Sequence, residues 1–246
     1  MRAFASLSLV LTLTTVPALA RTTAPVVVEL FTAQGCSSCN AANQLVGKLA
    51  DRGGLIVLTW AVDYWDYLGW KDTFAQPAFT ARQKAFDHRL GVREVYTPQI
   101  ILDGARQGSG VDTAGLQGLI AQAATGRRRA LVGVTFLADG GLSVRSHTHR
   151  RLGAAEVWLA RVDPRAREVE ITAGDNRGAT VSERRVVRQL VRLGAWNGHA
   201  TTFRPPPPEE AGLNDVVLVQ GARGGPILAT AERTHADPAT APTAHR

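Results

Sequence analysis

Val26-Val27-Val28-Glu29-Leu30-Phe31-Thr32-Ala33-Gln34-Gly35-Cys36-Ser37-Ser38-Cys39 is the stretch whose reading decides the fold. Its first six residues form a β-branched apolar run of the kind that makes a buried strand. The residues after it place Ala42, Leu45, Val46 and Leu49 on one helical face, with the helix expected over Ser37 to Asp51. The only two cysteines among 246 residues therefore sit where a strand gives way to a helix. Free backbone N–H groups and the positive end of the helix dipole favour a thiolate there, the species that attacks disulfides and binds soft metals. A bridge between cysteines so close in sequence constrains the unfolded chain very little. The pair is read as redox-active, with a metal site and a purely structural bridge as the alternatives.

Working outward, Gly53-Gly54 breaks the helix, and Leu55 to Val62 reads as a second buried strand. Strand, helix and strand make a βαβ unit, whose right-handed crossover sets the cysteines at the carboxyl end of a parallel pair. Directly beyond that strand, Asp63 to Trp70 concentrates Tyr64, Trp65, Tyr67 and Trp70, either as a plug over the core edge or as a rim that touches substrate. Pro77 to Leu90 has helical spacing and stops at Gly91. Thr97-Pro98 opens an apolar strand, Asp103-Gly104 is a hairpin turn, and a helix capped by Asp112 runs to Ala124 before the arginines 127–129.

From Ala130 the texture changes to alternating runs, Leu131 to Leu137, Leu142 to Ser146, Glu156 to Val162, Glu168 to Ala173 and, with a leaning to strand, Val181 to Leu193. A rigid connector at Pro205 to Pro208 leads to a last hairpin, Asp215 to Gln220 with Pro226 to Ala231. These runs predict an antiparallel, sandwich-like β domain. Gly174 to Gly178 reads as a turn through which Asp175 and Arg177 could hold the two domains together. His147-Thr148-His149 reads as a solvated strand end.

Residues 1–20 have the layout of a secretory signal, with Arg2, an apolar core over Leu7 to Val16 and a small-residue cleavage site at Ala18-Leu19-Ala20. The organisation expected is a signal peptide over 1–20, an α/β domain over 21–128, a β-rich domain over 129–235 and a disordered tail over 236–246. The protein would then be periplasmic or secreted, without stable membrane insertion. A hydrophobic content of 45% against 20% charged is that of globular material. The net charge of +7 comes from arginine, since the lysines are only Lys48, Lys71 and Lys84, and its scatter along the chain argues against nucleic acid as a partner.

The order of elements over residues 25 to 125 resembles the thioredoxin fold. More narrowly, Glu29 to Cys39, Trp65-Asp66-Tyr67-Leu68-Gly69-Trp70, Tyr96-Thr97-Pro98-Gln99 and Asn176-Arg177-Gly178 resemble the bacterial secreted thioredoxin-like proteins of the DUF1223 family. The fold expected is thus a thioredoxin-like α/β domain followed by an antiparallel β domain. The resemblance implies that Cys36 attacks, that Cys39 resolves, and that Pro98 is a cis-proline facing them. Thr97 would offer its backbone to an extended substrate, and Glu29 would accept the proton of Cys39. Gly35 stands where thioredoxins carry Trp, and Ser37-Ser38 where they carry Gly-Pro, so their redox potential is not carried over.

The function expected is thiol-disulfide exchange with protein or small-molecule thiols and a redox partner, using no cofactor beyond the Cys36-Cys39 pair. Tyr64, Trp65, Tyr67 and Trp70 would contact the substrate. Two other readings are a copper-binding protein with His88 as third ligand, and a non-catalytic interaction module.

Overall fold

The computed structural model describes residues 24–125 and 131–235. The signal-like segment, the arginines 127–129 and the expected tail lie outside them. The first sheet is built from β1 (Val26–Thr32), β2 (Leu55–Ala61), β3 (Gln99–Leu102) and β4 (Arg106–Ser109) in the order β2-β1-β3-β4. β1 and β2 are parallel, with Val28 opposite Val57, while β3 runs antiparallel to both β1 and β4. Between these strands lie α1 (Cys39–Leu49) and α2 (Pro77–Leu90), and α3 (Thr113–Thr125) follows β4. Asp103 and Gly104 both take positive φ at the β3–β4 turn, as an Asp-Gly hairpin turn requires.

Strand alternation divides β1 between two cores. Val26, Val28 and Leu30 pack with Ala42, Val46 and Leu49 of α1 and with Leu116, Ile120 and Ala123 of α3. Val27 and Phe31 point the other way, into a cluster with Trp60, Phe79 and Phe86. The free edge of β2 is covered by residues 184–186, with Thr59 donating its backbone N–H to the carbonyl of Arg185 at 2.9 Å.

The second half holds β5 (Val132–Phe136), β6 (Leu142–Ser146), β7 (Ala155–Val162), β8 (Arg167–Glu170), β9 (Thr180–Glu183), β10 (Val187–Trp196), β11 (Thr201–Phe203), β12 (Asn214–Gly221) and β13 (Ile227–Arg233). They form sheets ordered β10-β7-β12-β13 and β11-β6-β5, and the ribbon β8-β9. The 181–193 segment is strand, as expected, although it is split between β9 and β10.

The expectation of a thioredoxin-like α/β domain followed by a sandwich is corrected here. With 37% strand, 20% helix and three α-helices, the described residues form a mostly β structure of several sheets. The physical reason lies in β12 and the second half of β7, which are buried on both faces. Val157, Leu159, Val217 and Val219 pack against β5 and β6 through Val132, Leu142 and Val144. Ala160, Val162, Val216 and Leu218 point oppositely and join Phe31, Trp60, Phe79 and Phe86 in a single cluster. The central sheet thus shares its core with the first sheet and α2, where a sandwich in series would have closed on itself.

Candidate site at the Cys36–Cys39 disulfide

β1 ends at Thr32, and a turn closed by Cys36 N–H on the Ala33 carbonyl (3.1 Å) carries the chain to Cys39, the first residue of α1. Cys36 and Cys39 are joined in a disulfide with their Cα atoms 5.4 Å apart. Cys36 is 2% exposed and Cys39 1%, and both belong to the core cluster of Phe31 and Trp60. Ser37 and Ser38 are exposed over them, and the Ser38 hydroxyl lies 3.5 Å from Cys36 Sγ.

The Thr97-Pro98 peptide bond is cis. Gly110 locates it beside the start of α1, because its N–H donates to the Pro98 carbonyl at 2.8 Å. A β-carbon added at Gly110 would stand 2.9 Å from Pro98 Cβ and 3.0 Å from Ala42 Cβ. Only glycine lets these three backbones approach so closely.

The aromatic segment lies alongside. Trp65 adjoins Gly35, whose added β-carbon would meet Trp65 Cβ at 3.7 Å, and Tyr64 and Trp65 pack on the cluster containing the cysteines. Burial pushes the Tyr64 phenol up to about 12, while nearby Gln83 and Thr97 pull the other way. Trp70 Nε1 donates to Gln34 Oε1 at 3.0 Å. Tyr67 alone of the four is fully outside, at 81% exposure.

Glu29 is buried on β1, and the guanidinium of Arg82 on α2 grips it with Nε to Oε2 at 2.6 Å and Nη2 to Oε1 at 2.9 Å. The third arm of Arg82 donates to Gln220 Oε1 at 2.9 Å, and the guanidinium carbon lies 5.0 Å from the Trp60 ring centroid and 4.9 Å from that of Phe86. Its observed place is that of an ion pair tying β1 to α2 and, through the same guanidinium, to β12.

Sequence reasoning passed over the roles of Asp72 and Glu183, which with Asn176 hold Gln34 in the loop before Cys36. Asp72 Oδ2 accepts the Gln34 backbone N–H at 2.7 Å. Gln34 Nε2 donates to Thr73 Oγ1 at 2.9 Å and to Glu183 Oε2 at 3.1 Å, and its carbonyl accepts from Asn176 Nδ2 at 2.7 Å. The contact between halves expected of Asp175 and Arg177 is made by Asn176, which lies between them. Gly174 backs this turn against the aromatic segment, its φ being 72° and its would-be β-carbon 2.9 Å from the Leu68 carbonyl oxygen.

Burial raises the Asp72 carboxyl above its ordinary range against the pull of its backbone hydrogen bonds. Burial first, and the charge of Asp72 second, push Glu183 up to about 8. One signal could have found Glu183, since strand alternation puts it on the same face as the buried Val181.

Among the described residues no group of three His, Cys, Asp or Glu stands together in a way that could hold a metal ion, and no helix is long and apolar enough to cross a membrane. His88 lies exposed near the end of α2.

The molecule is a layered, β-rich protein with a CxxC-spaced disulfide at a strand-to-helix junction. It belongs to the DUF1223 family, whose model, described as a protein of unknown function, matches residues 27–220. The fold is similar to the crystal structure of protein AGR_C_4864 from Agrobacterium tumefaciens, with 28% identity and a TM-score of 0.69 over 89% of this chain and 99% of that one. It is also similar to HBP35 of Porphyromonas gingivalis, with 12% identity and a TM-score of 0.58 over 86% of this chain and 75% of that one, a likeness of fold alone. No curated protein matches the chain.

Proposed function

We propose that this protein is an exported thiol-disulfide oxidoreductase acting on protein or small-molecule thiols. The observation that carries the reading is the bonded Cys36–Cys39 pair at the start of α1, whose first turn meets the cis Thr97-Pro98 bond across Gly110. An incoming thiolate attacks Cys36 Sγ, a mixed disulfide forms, and Cys39 leaves as thiolate. A second substrate thiolate then attacks the substrate sulfur and releases Cys36, so that two electrons pass from the substrate dithiol to the pair. The reverse sequence reduces a substrate disulfide.

The N-terminus of α1 favours thiolate at these sulfurs, because its free N–H groups and the dipole stabilise negative charge. The Thr97 backbone offers pairing to an extended substrate, and the exposed Tyr67 stands at the rim. Export rests on the signal-like residues 1–20, and a periplasmic or extracellular setting is where such a disulfide persists.

The test is a Cys39→Ser variant expressed with its leader and analysed without reductant. Mixed disulfides through Cys36 are expected, and they vanish on adding Cys36→Ser. The absence of any trapped species, together with no turnover of a model protein disulfide by the wild type, would overturn the reading.

A further inference from the structure

Behind the cysteine loop lies a second group of titratable side chains that the exchange chemistry above does not use. Glu183 is completely buried, one carboxylate oxygen is bonded to Gln34 Nε2, and the other, Oε1, finds no hydrogen-bond partner. Asp72, 5% exposed, holds the backbone N–H of the same glutamine. Gln34 is itself fully buried and stands two positions before Cys36, so two carboxyl groups from distant parts of the chain converge on the segment that carries the disulfide.

Among the described residues no cation pairs with either carboxyl, and Lys48 of α1, the helix packed on β9, is exposed. On its own segment, Arg184 turns to Asp51 and the Gly47 carbonyl, and Arg185 to Glu232 and the Val57 carbonyl. Across the ribbon, Arg167 opposite Glu183 is held by Asp163. From the aromatic side the charge felt by Asp72 is that of Asp66, another acid. A buried carboxyl facing a second carboxylate, with no counter-charge, keeps its proton.

We infer that Glu183 is a proton-holding positioning residue of the disulfide site, and that its charge state, relayed through Gln34, sets the thiolate pKa of the reduced Cys36–Cys39 pair. The inference deepens the exchange reading and rests on it. With Glu183 neutral, a thiolate at the start of α1 meets no added negative charge. Once Glu183 ionises, the thiolate shares a poorly solvated region with two carboxylates, and its formation becomes harder. When a dithiol reduces the pair, the donor's sulfurs close to a disulfide and two electrons enter the S–S bond. Of the donor's two protons one goes to Cys39 and one to solvent, leaving Cys36 as the thiolate whose charge Glu183 opposes. The two groups titrate as a coupled set.

The test is the ultraviolet thiolate absorbance of the fully reduced protein minus that of the oxidised protein, which cancels the tyrosines, followed from acid to alkaline pH. Wild type is expected to ionise its thiol over a broadened range extending past about pH 8, where Glu183 loses its proton. Glu183→Gln keeps an oxygen to accept from Gln34 but cannot ionise, and its first thiol step should be narrower, with the midpoint lowered by about one unit. Superimposable curves for wild type and Glu183→Gln would overturn the inference.

If Glu183→Gln does not fold, Asp72→Asn decides instead. It leaves the burial of Glu183 in place and removes the charge that adds to it, so the broadening should move to lower pH, and an unmoved curve would overturn the inference. Failure of the exchange reading shows separately. A protein that traps no mixed disulfide, yet whose thiol titration answers to Glu183, would have lost its assigned reaction while keeping the coupling.

Discussion

Removing Arg82 should cost this protein a large share of its stability. Arg82→Ala strands the Glu29 carboxylate at a position with no solvent exposure and takes the donor from Gln220 Oε1. Breaking a buried ion pair from one side costs about 3 to 5 kcal/mol, because the remaining charge has neither water nor partner. The lost stacking over Trp60 and Phe86 acts in the same direction. Against a total of about 5 to 15 kcal/mol for a folded chain, this is a large fraction. With a urea slope of about 2 to 3 kcal/mol per molar, the unfolding midpoint should fall by roughly 1 to 2.5 M.

The assay is equilibrium urea unfolding of the oxidised protein, followed by tryptophan fluorescence and by circular dichroism to check that one transition is seen. A double variant, Glu29→Leu with Arg82→Met, strands neither charge and should recover a large part of the loss. A loss below about 1 kcal/mol for Arg82→Ala, the scale of an exposed pair, would refute the reasoning. So would a double variant no more stable than the single. Once folded, the double variant should still form mixed disulfides through Cys36, because Glu29 is committed to Arg82.

Stability should also fall as pH rises from about 4.5 to about 8, since Glu183 stands near 8 when folded against its ordinary 4.5. Over that window the folded state binds more protons than the unfolded one, so raising the pH favours unfolding. Urea midpoints of wild type and Glu183→Gln measured at both ends should show the fall in wild type and a weaker one in the variant. Opening the disulfide should matter little to the fold, because the chain-entropy relation for a loop this short gives about 2 kcal/mol. Thermal unfolding of Cys36→Ser/Cys39→Ser should therefore remain cooperative, with a melting temperature lowered by several degrees at most. Gly174→Ala combines φ of 72° with a β-carbon 2.9 Å from the Leu68 carbonyl oxygen. It should cost more than about 1 kcal/mol and speed proteolysis within the aromatic segment, whereas Gly178→Ala, with φ of 86° but open space, should cost less.

Local signals carried a good part of this structure. The β1 run, the buried face of α1, the extent of α2 from Pro77 to Leu90 with Gly91 in the left-handed region, and the Asp103-Gly104 turn all follow from patterns a few residues long, although α1 begins at Cys39 and not at Ser37. Such elements are fixed by side-chain periodicity and by glycine or proline backbone preferences, which act within one turn or one hairpin. The expected architecture failed where the deciding contacts are long-range. Alternation in β7 and β12 shows apolar residues on both faces but cannot say that Val216 and Leu218 meet Phe31 and Trp60. The site divides in the same way. Cys36 and Cys39 are marked by their spacing, whereas Glu183 reaches Gln34 across 149 positions of sequence. Arg82 similarly finds Glu29 across 53 positions of sequence, a pairing that no local pattern announces.

By itself the sequence determined that two cysteines stand at a strand-to-helix junction, with Thr97-Pro98 and an aromatic segment as further marked features. Those are matters of composition and short-range order. Tertiary structure alone decided which charges surround the pair. Burial takes away the solvent that would otherwise level all carboxylates, so Glu29 is gripped by a guanidinium while burial and the charge of Asp72 push Glu183 up to about 8.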